Sequence, residues 1–322
     1  MRVLVTGGAG YIGSHMVKRL LQSNIDVTIL DDMSAGVVNE QHSAFLIRGR
    51  TDDVLLLKKI FTMARYDAVI HFAGSTSVSE SVVSPEKYFY NNFTASLALL
   101  NTAVECGVKK FIFSSTAAIF GSPIYIPINE SHPSSPINAY GESKLMLEWA
   151  LKRFEVAHGV RWVSLRYFNA AGADPQGELG EQHEPETHLI PLALRATYSA
   201  DQNLTIYGTD YDTPDGTCIR DYVHVCDLCE AHILSLDHLI RGGSSQSYNL
   251  GNGEGYSVLD IIRTVENVTG QLAHVKYGPR RPGDPSRLVA DSSKIREELG
   301  WKPLYDLDAI ISHAWAWECR GI

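Results

Sequence analysis

Glycines spaced three apart, placed directly between a β-branched run and an apolar-periodic stretch, constrain this chain more than any other feature. Val3-Leu4-Val5-Thr6 reads as a strand, Gly7-Gly8-Ala9-Gly10 as a tight turn, and the stretch from Ile12 as a helix. In such a βα unit Gly7 lets the chain turn, Gly10 lets backbone approach a pyrophosphate, and Gly13 lets the helix lie against the strand. N–H groups at the helix start then face the phosphates. Ordinary loop glycines are the alternative, disfavoured by the strand and helix on either side.

The next apolar run, Ile25 to Leu30, ends in Asp31-Asp32. Acidic side chains about 20 residues beyond the glycines accept hydrogen bonds from adenosine ribose hydroxyls, which favours NAD. A 2′-phosphate would meet two carboxylates there, and no Arg or Lys lies between Asp31 and Arg48 to pair with it, so NADP is disfavoured. Two turn acids ending a strand are the other reading.

The chain has 322 residues, 44% of them hydrophobic, enough for a large core in one large or two intimate domains. A net charge of −9 argues against nucleic acid or an anionic membrane as partner. The N terminus enters a strand at once without a signal peptide, and no apolar stretch reaches the roughly 18 residues of a membrane span, so cytoplasm is the expected compartment. Five cysteines fit reduced thiols better than a disulfide framework. Cys226 and Cys229 have the spacing of a redox or metal pair, but no second pair at metal-site spacing accompanies them, so they read as structural. The ligand-rich tract Glu181 to His188 carries Pro185 and reads as a surface loop; no metal is expected.

Strands near Arg2–Val5, Asp26–Leu30, Ala68–Phe72, Lys110–Ser114 and Trp162–Arg166 alternate with helical patterns near Ile12–Ser23, Asp52–Ala64, Pro85–Cys106 and Ala139–Ala157. Repeated βα order predicts an α/β fold: a Rossmann-type doubly wound parallel sheet with a smaller mixed α/β C-terminal substrate domain. The division is expected near residue 170, with 1–170 holding the dinucleotide, 171–322 holding substrate, and some chain exchanged back to the first part. Shorter elements are expected in the second part at Leu189–Tyr198, Leu204–Tyr207, Val225–Ile240, Ser257–Thr269 and Asp306–Arg320.

Tyr140 and Lys144, four apart on a helix, share one face. A positive charge about 4 Å from a phenol, at an effective dielectric of about 20, is worth about 4 kcal/mol, or roughly three pKa units. That would bring the phenol toward operating pH as a general base, although burial pushes the other way and a net shift also needs the positive nicotinamide. Thr116 ends the facing strand and can bridge phenol and substrate hydroxyl.

These residues resemble the extended short-chain dehydrogenase/reductase family, and most closely its branch of sugar-nucleotide 4-epimerases. The likeness runs nearly end to end. It rests on Gly7–Ser14, His71–Gly74, Phe111–Thr116, Tyr140-Gly-Glu-Ser-Lys144, Leu165–Asn169, Asp215–His224, Tyr248–Gly251 and Pro279-Arg-Arg-Pro-Gly-Asp284. The resemblance implies tightly held NAD, a UDP-sugar substrate, and reversible inversion at the sugar C4 of UDP-glucose and UDP-galactose through a 4-keto sugar. It assigns cofactor contacts to Gly7, Gly10, Tyr11, Ile12, Gly13, Asp31, Asp32, Thr51, Phe72, Ala73, Gly74, Asn92 and Phe168, beside Thr116, Tyr140 and Lys144. On the substrate side, Asn169 and His188-Leu189 would meet the phosphates, Tyr207 the uracil, Arg220 and Arg281 the diphosphate, and Asp284 the ribose. Leu288 takes the position that limits the sugar pocket, where an aromatic excludes N-acetylated sugars and a small residue admits them; leucine is intermediate, and both scopes stay open.

Departures from the family pattern also stand out. Arg50-Thr51 replaces the Asp-Ile found around the adenine in better-known members, and Thr76 a lysine near the cofactor phosphates. Ala117-Ala118 lack the acid and base that a nucleotide-sugar dehydratase needs, and a decarboxylase lacks polar support there too. A non-catalytic NAD-binding regulator would have no use for Thr116, Tyr140 and Lys144 in register. The helices at Pro85–Cys106 and Ala139–Ala157 match the family's dimer surface, so a homodimer is expected.

Overall fold

The first strand, β1 (Arg2–Thr6), runs through the middle of the main sheet, and Val3, Leu4 and Val5 are buried on both faces, as a parallel strand covered by helices must be. The computed structural model describes residues 1–34, 44–199, 203–281 and 284–321; Pro282 and Gly283 of the arginine block lie outside them. After β1 come α1 (Tyr11–Gln22), β2 (Asp26–Asp31), β3 (Phe45–Arg48), α2 (Val54–Met63), β4 (Ala68–His71) and α3 (Val78–Val83). Next are α4 (Pro85–Tyr88), α5 (Ala95–Glu105), β5 (Lys110–Thr116), α6 (Ala139–His158), β6 (Arg161–Tyr167) and β7 (Asn169–Ala171). The chain continues with α7 (Leu189–Tyr198), β8 (Leu204–Tyr207), β9 (Ile219–Arg220), β10 (Tyr222–His224), α8 (Val225–Ile240) and β11 (Gln246–Leu250). Last come β12 (Tyr256–Ser257), α9 (Val258–Thr269), β13 (Val275–Gly278), β14 (Arg287–Leu288), α10 (Ser293–Leu299) and α11 (Leu307–Glu318).

Among the described residues, seven parallel strands form the main sheet in the order β11-β6-β5-β4-β1-β2-β3. One apolar layer joins Met16, Val17 and Leu20 of α1 to Leu228, Leu236 and Leu239 of α8. The opposite layer holds Leu57 and Ile60 of α2, Leu99 and Leu100 of α5, and Leu147 and Leu151 of α6. This is the Rossmann-type doubly wound sheet that the βα repeat predicts. Strand order reverses between β1 and β4, which opens a crevice beyond their carboxyl ends, where ligands of such sheets bind. Gly7 and Phe72-Ala73-Gly74 meet there.

Two strands of this sheet, β3 and β11, escape the sequence reading. β11 pairs with β6, and α8 buries its apolar stripe against α1, so segments beyond residue 170 complete the first layer. The helix expected over Pro85–Cys106 is also not continuous. A π-helical turn at Phe89–Thr94 separates α4 from α5. Such widening carries one extra residue per turn and commonly marks functional sites; here it contains the buried Asn92. Away from the sheet, α7, α9 and α11 pack together around Ile190, Leu194, Ile261, Val265 and Ile310. The short strands β9, β12 and β14 form a separate sheet beside them.

Candidate active site

Asn138 caps α6 by accepting the Gly141 N–H at 2.9 Å, which fixes Tyr140 and Lys144 in the first turns of the helix. Thr116, the last residue of β5, accepts the Ala118 N–H at 3.1 Å, and its hydroxyl is the one side-chain group that works against burial at the Tyr140 phenol. The Lys144 ammonium, 3% exposed, donates to the Ser114 carbonyl at 3.0 Å and lies 5.9 Å from the centre of the Tyr140 ring. The three residues chosen from sequence therefore converge.

Their electrostatics differ from the simple expectation. Burial pushes the Tyr140 phenol above its ordinary value, opposed by the Thr116 hydrogen bond, and burial lowers Lys144 to about 8. The lysine ammonium itself is held by a sheet carbonyl. Protein side chains alone leave Tyr140 a weak base.

Sequence reasoning missed the pair that seats this helix. Arg166 on β6 donates to both carboxylate oxygens of Glu148, at 3.0 and 2.7 Å, and Ser115 donates to the same carboxylate at 2.6 Å. Residues 140, 144 and 148 share one helical face, so the spacing offered a signal; an internal ion pair is invisible until β6 is placed.

The cofactor cradle is shaped by atoms that would collide with any side chain. A Cβ on Gly7 (φ 72°) would lie 2.5 Å from the Ala73 nitrogen, and one on Gly13 would lie 2.0 Å from the Gly7 oxygen. A Cβ on Gly10 would meet only the Gly7 oxygen, at 3.4 Å, so that side of the turn is open. Gly10 caps α1 without a side-chain acceptor, and no acid stands in the first turn, which leaves the helix N-terminus suited to an anion. Asp31 accepts from the Ala9 and Met33 N–H groups at 3.0 and 2.9 Å, bracing the turn from behind. These residues fit a dinucleotide.

Folding also places Arg50 3.5 Å from Asp32, an approach that the gap in sequence between them concealed. Arg50 also pairs with Asp52, and Thr51 beside it is buried. Asn92 accepts the Ser75 N–H at 2.7 Å and donates to Ser143 at 3.2 Å, tying the Phe72–Gly74 loop to α6. Tyr11 donates to the Gly172 carbonyl at 2.6 Å, and Ile12 packs on the sheet's first apolar layer.

On the other side of the crevice, the Asn169 side chain donates to the Asp221 carbonyl at 2.9 Å. A cavity of about 70 Å³ is lined by Asn169, Gly172, Glu181, His188 and Leu189, among others. Arg220 pairs with Asp284, and the Arg281 guanidinium lies 4.1 Å above the Tyr207 ring, so these four come together in pairs. Phe168 and Leu288 pack on one small apolar cluster that includes Ala117, next to Thr116.

The tract Glu181–His188 is not the plain surface loop that its composition predicts. Glu181 is buried, and the Glu186 side chain is 1% exposed. Burial pushes His188 down, but Glu181 and Glu186 outweigh it and raise the imidazole to about 10; the Glu181 carboxyl, which burial pushes up, is held at about 2 by His183 and His188. All five cysteines are free. Burial pushes the Cys226 thiol up to about 12, which makes it a poor nucleophile.

Residues 3–251 match the model of the NAD dependent epimerase/dehydratase family. The chain belongs to that family. A UDP-glucose 4-epimerase of Azospirillum brasilense is 50% identical over 319 residues, covering 98% of this chain and 92% of the relative. The structure of UDP-glucose 4-epimerase from Brucella ovis in complex with NAD superposes with a TM-score of 0.95 at 44% identity, covering 98% of this chain and 97% of that one. The Bifidobacterium longum enzyme, in complex with NAD+ and UDP, gives 0.94 at 38% identity, over 99% and 98%. This epimerase/dehydratase family member thus shares its whole fold with both. Among the described residues no helix is long and apolar enough to cross a membrane.

Proposed function

We propose that this chain is an NAD-dependent isomerase that interconverts UDP-glucose and UDP-galactose by inversion at C4. What supports the reading is that Lys144, one turn from Tyr140 on α6, bonds the carbonyl of Ser114 in the strand that ends at Thr116 and lies 3.7 Å from where a side chain on Gly74 would begin.

When bound, NAD supplies a reversible acceptor for the hydrogen at the sugar C4. Tyr140 takes the 4-hydroxyl proton with Thr116 relaying or orienting it, and returns a proton to the 4-keto oxygen after the sugar has presented its other face. Lys144, bonded to the Ser114 carbonyl, would hold a positive charge toward the bound cofactor and substrate. Gly7, Gly10, Tyr11, Ile12 and Gly13 would line the pyrophosphate, Asp31 and Asp32 the adenosine ribose, Thr51 the adenine edge, and Phe72, Ala73, Gly74, Asn92 and Phe168 the remainder of the cofactor. Arg220 and Arg281 would clamp the diphosphate with planar forks, Asn169, His188 and Leu189 would meet the same phosphates, Tyr207 would hold uracil and Asp284 the ribose. Firm grip on the nucleotide and few contacts on the hexose let the sugar turn over.

Dehydration is disfavoured at this site, since Ala117 and Ala118 follow Thr116 and cannot move a proton. We also infer a cytoplasmic homodimer: five free thiols fit a reducing compartment, and α6 leaves Trp149 56% exposed on a face that a partner helix can cover. Incubating purified protein with UDP-galactose, without added cofactor, tests the activity. Formation of UDP-glucose supports it, and unchanged UDP-galactose rejects it.

A further inference from the structure

Four ligand-type side chains, of which only His188 has a part in the reading above, converge in the segment before α7. Nitrogen or oxygen atoms of Glu181, His183, Glu186 and His188 all lie within 4.8 Å of one another. One Glu181 oxygen is 3.1 Å from His183 Nδ1 and 2.8 Å from His188 Nδ1, and His188 Nδ1 is 3.0 Å from a Glu186 oxygen. Each ring nitrogen carries at most one proton, so His188 Nδ1 cannot satisfy two carboxylates with two full hydrogen bonds.

The second observation concerns Glu186. Its Oε1 accepts the N–H groups of Thr187 and His188, at 2.7 and 2.8 Å, while its Oε2 is buried without any hydrogen-bond partner. The Glu186 side chain is 1% exposed, and while His188 faces its Oε1, its buried Oε2 meets no donor, which is costly for a polar atom. Nearby Tyr11, hydrogen-bonded to Gly172, feels both carboxylates.

We propose that Glu181, His183, Glu186 and His188 bind one first-row divalent cation, with Zn²⁺ the best match. Two imidazole nitrogens and two carboxylate oxygens suit zinc, whereas calcium and magnesium take six or more oxygens or several waters. Metal–ligand bonds of about 2.0–2.1 Å in a tetrahedron set ligand atoms about 3.3 Å apart, so the three edges of 2.8–3.1 Å would expand slightly and the remaining edges, which lie within 4.8 Å, would draw in where they are longer. The cation would displace the proton shared between His188 and its acids. It would also clip the loop to the first residues of α7, fixing His188 and Leu189 beside the cavity that both line.

The full chain as purified is stripped with chelator, reloaded with Zn²⁺, passed through gel filtration and assayed by elemental mass spectrometry. About one zinc per chain is expected, falling at least roughly tenfold in a His183→Ala/Glu186→Gln double variant. Co²⁺ loading is expected to give the intense visible bands of a tetrahedral centre. Wild-type protein that keeps no more zinc than the double variant overturns the proposal. Because that variant could misfold, a second measurement uses wild type alone: withholding one equivalent of Zn²⁺ from a micromolar-affinity colorimetric chelator supports the site, and surrender of all of it rejects the site. Neither readout depends on epimerase activity.

Discussion

Arg166 grips both oxygens of Glu148 inside the α6–sheet interface, with side-chain exposures of 6% and 0%. The pair fixes the depth at which α6 lies on β5 and β6, and so the approach of Tyr140 to Thr116. Removing one partner strands a buried charge. Glu148→Ala is expected to cost about 3–5 kcal/mol of stability, read from urea unfolding, and to lower turnover even in the fraction that stays folded.

For Tyr140→Phe, loss of the proton-transfer group should cut turnover by about 10²–10⁴-fold, while NAD stays bound. The check pairs an assay of UDP-galactose conversion by sugar anomeric-proton NMR with the NAD released on heating. Unchanged turnover would remove the phenol from the mechanism.

Lys144 has a folded pKa of about 8 against an ordinary 10.5 because burial penalises its ammonium. Between these values the unfolded chain binds a proton that the folded chain has released, so this group's contribution to stability rises with pH from about 8 to about 10.5. Below pH 8 both states are protonated and the penalty is complete. Lys144→Met should therefore gain up to about 3 kcal/mol over wild type near pH 7, less the lost Ser114 hydrogen bond, with the gap closing toward pH 10.5. Urea midpoints of both proteins at pH 7 and 10 test the sign.

Arg220 and Asp284 neutralise each other in the described structure. A diphosphate would take the guanidinium away from the carboxylate. Arg220→Ala should weaken UDP binding by about 1.5–3 kcal/mol, measured calorimetrically, with NAD content unchanged.

Leu288 packs with Phe168 on the cluster beside Thr116, and the proposed function sets its bulk against the sugar. Leu288→Tyr is expected to lower kcat/KM for UDP-N-acetylglucosamine at least about tenfold relative to UDP-glucose. Equal loss on both sugars would mean the position sets no sugar size.

Local physics made much of this protein legible in its residues. Gly7 and Gly13 dictate a βα turn because a Cβ on either would collide with backbone atoms, and helical periodicity puts Tyr140 and Lys144 on one face. Tertiary structure decided the rest. That the Lys144 ammonium bonds the Ser114 carbonyl follows only from laying α6 against β5. Glu148 met Arg166, Arg50 met Asp32 and Arg220 met Asp284 only after separate elements of the chain were brought side by side. The Glu181–His188 tract reads as a loop from its charges and proline, because composition reports affinity for water and not burial; folding put two of its carboxylates inside, and burial, not residue type, turned them into a site.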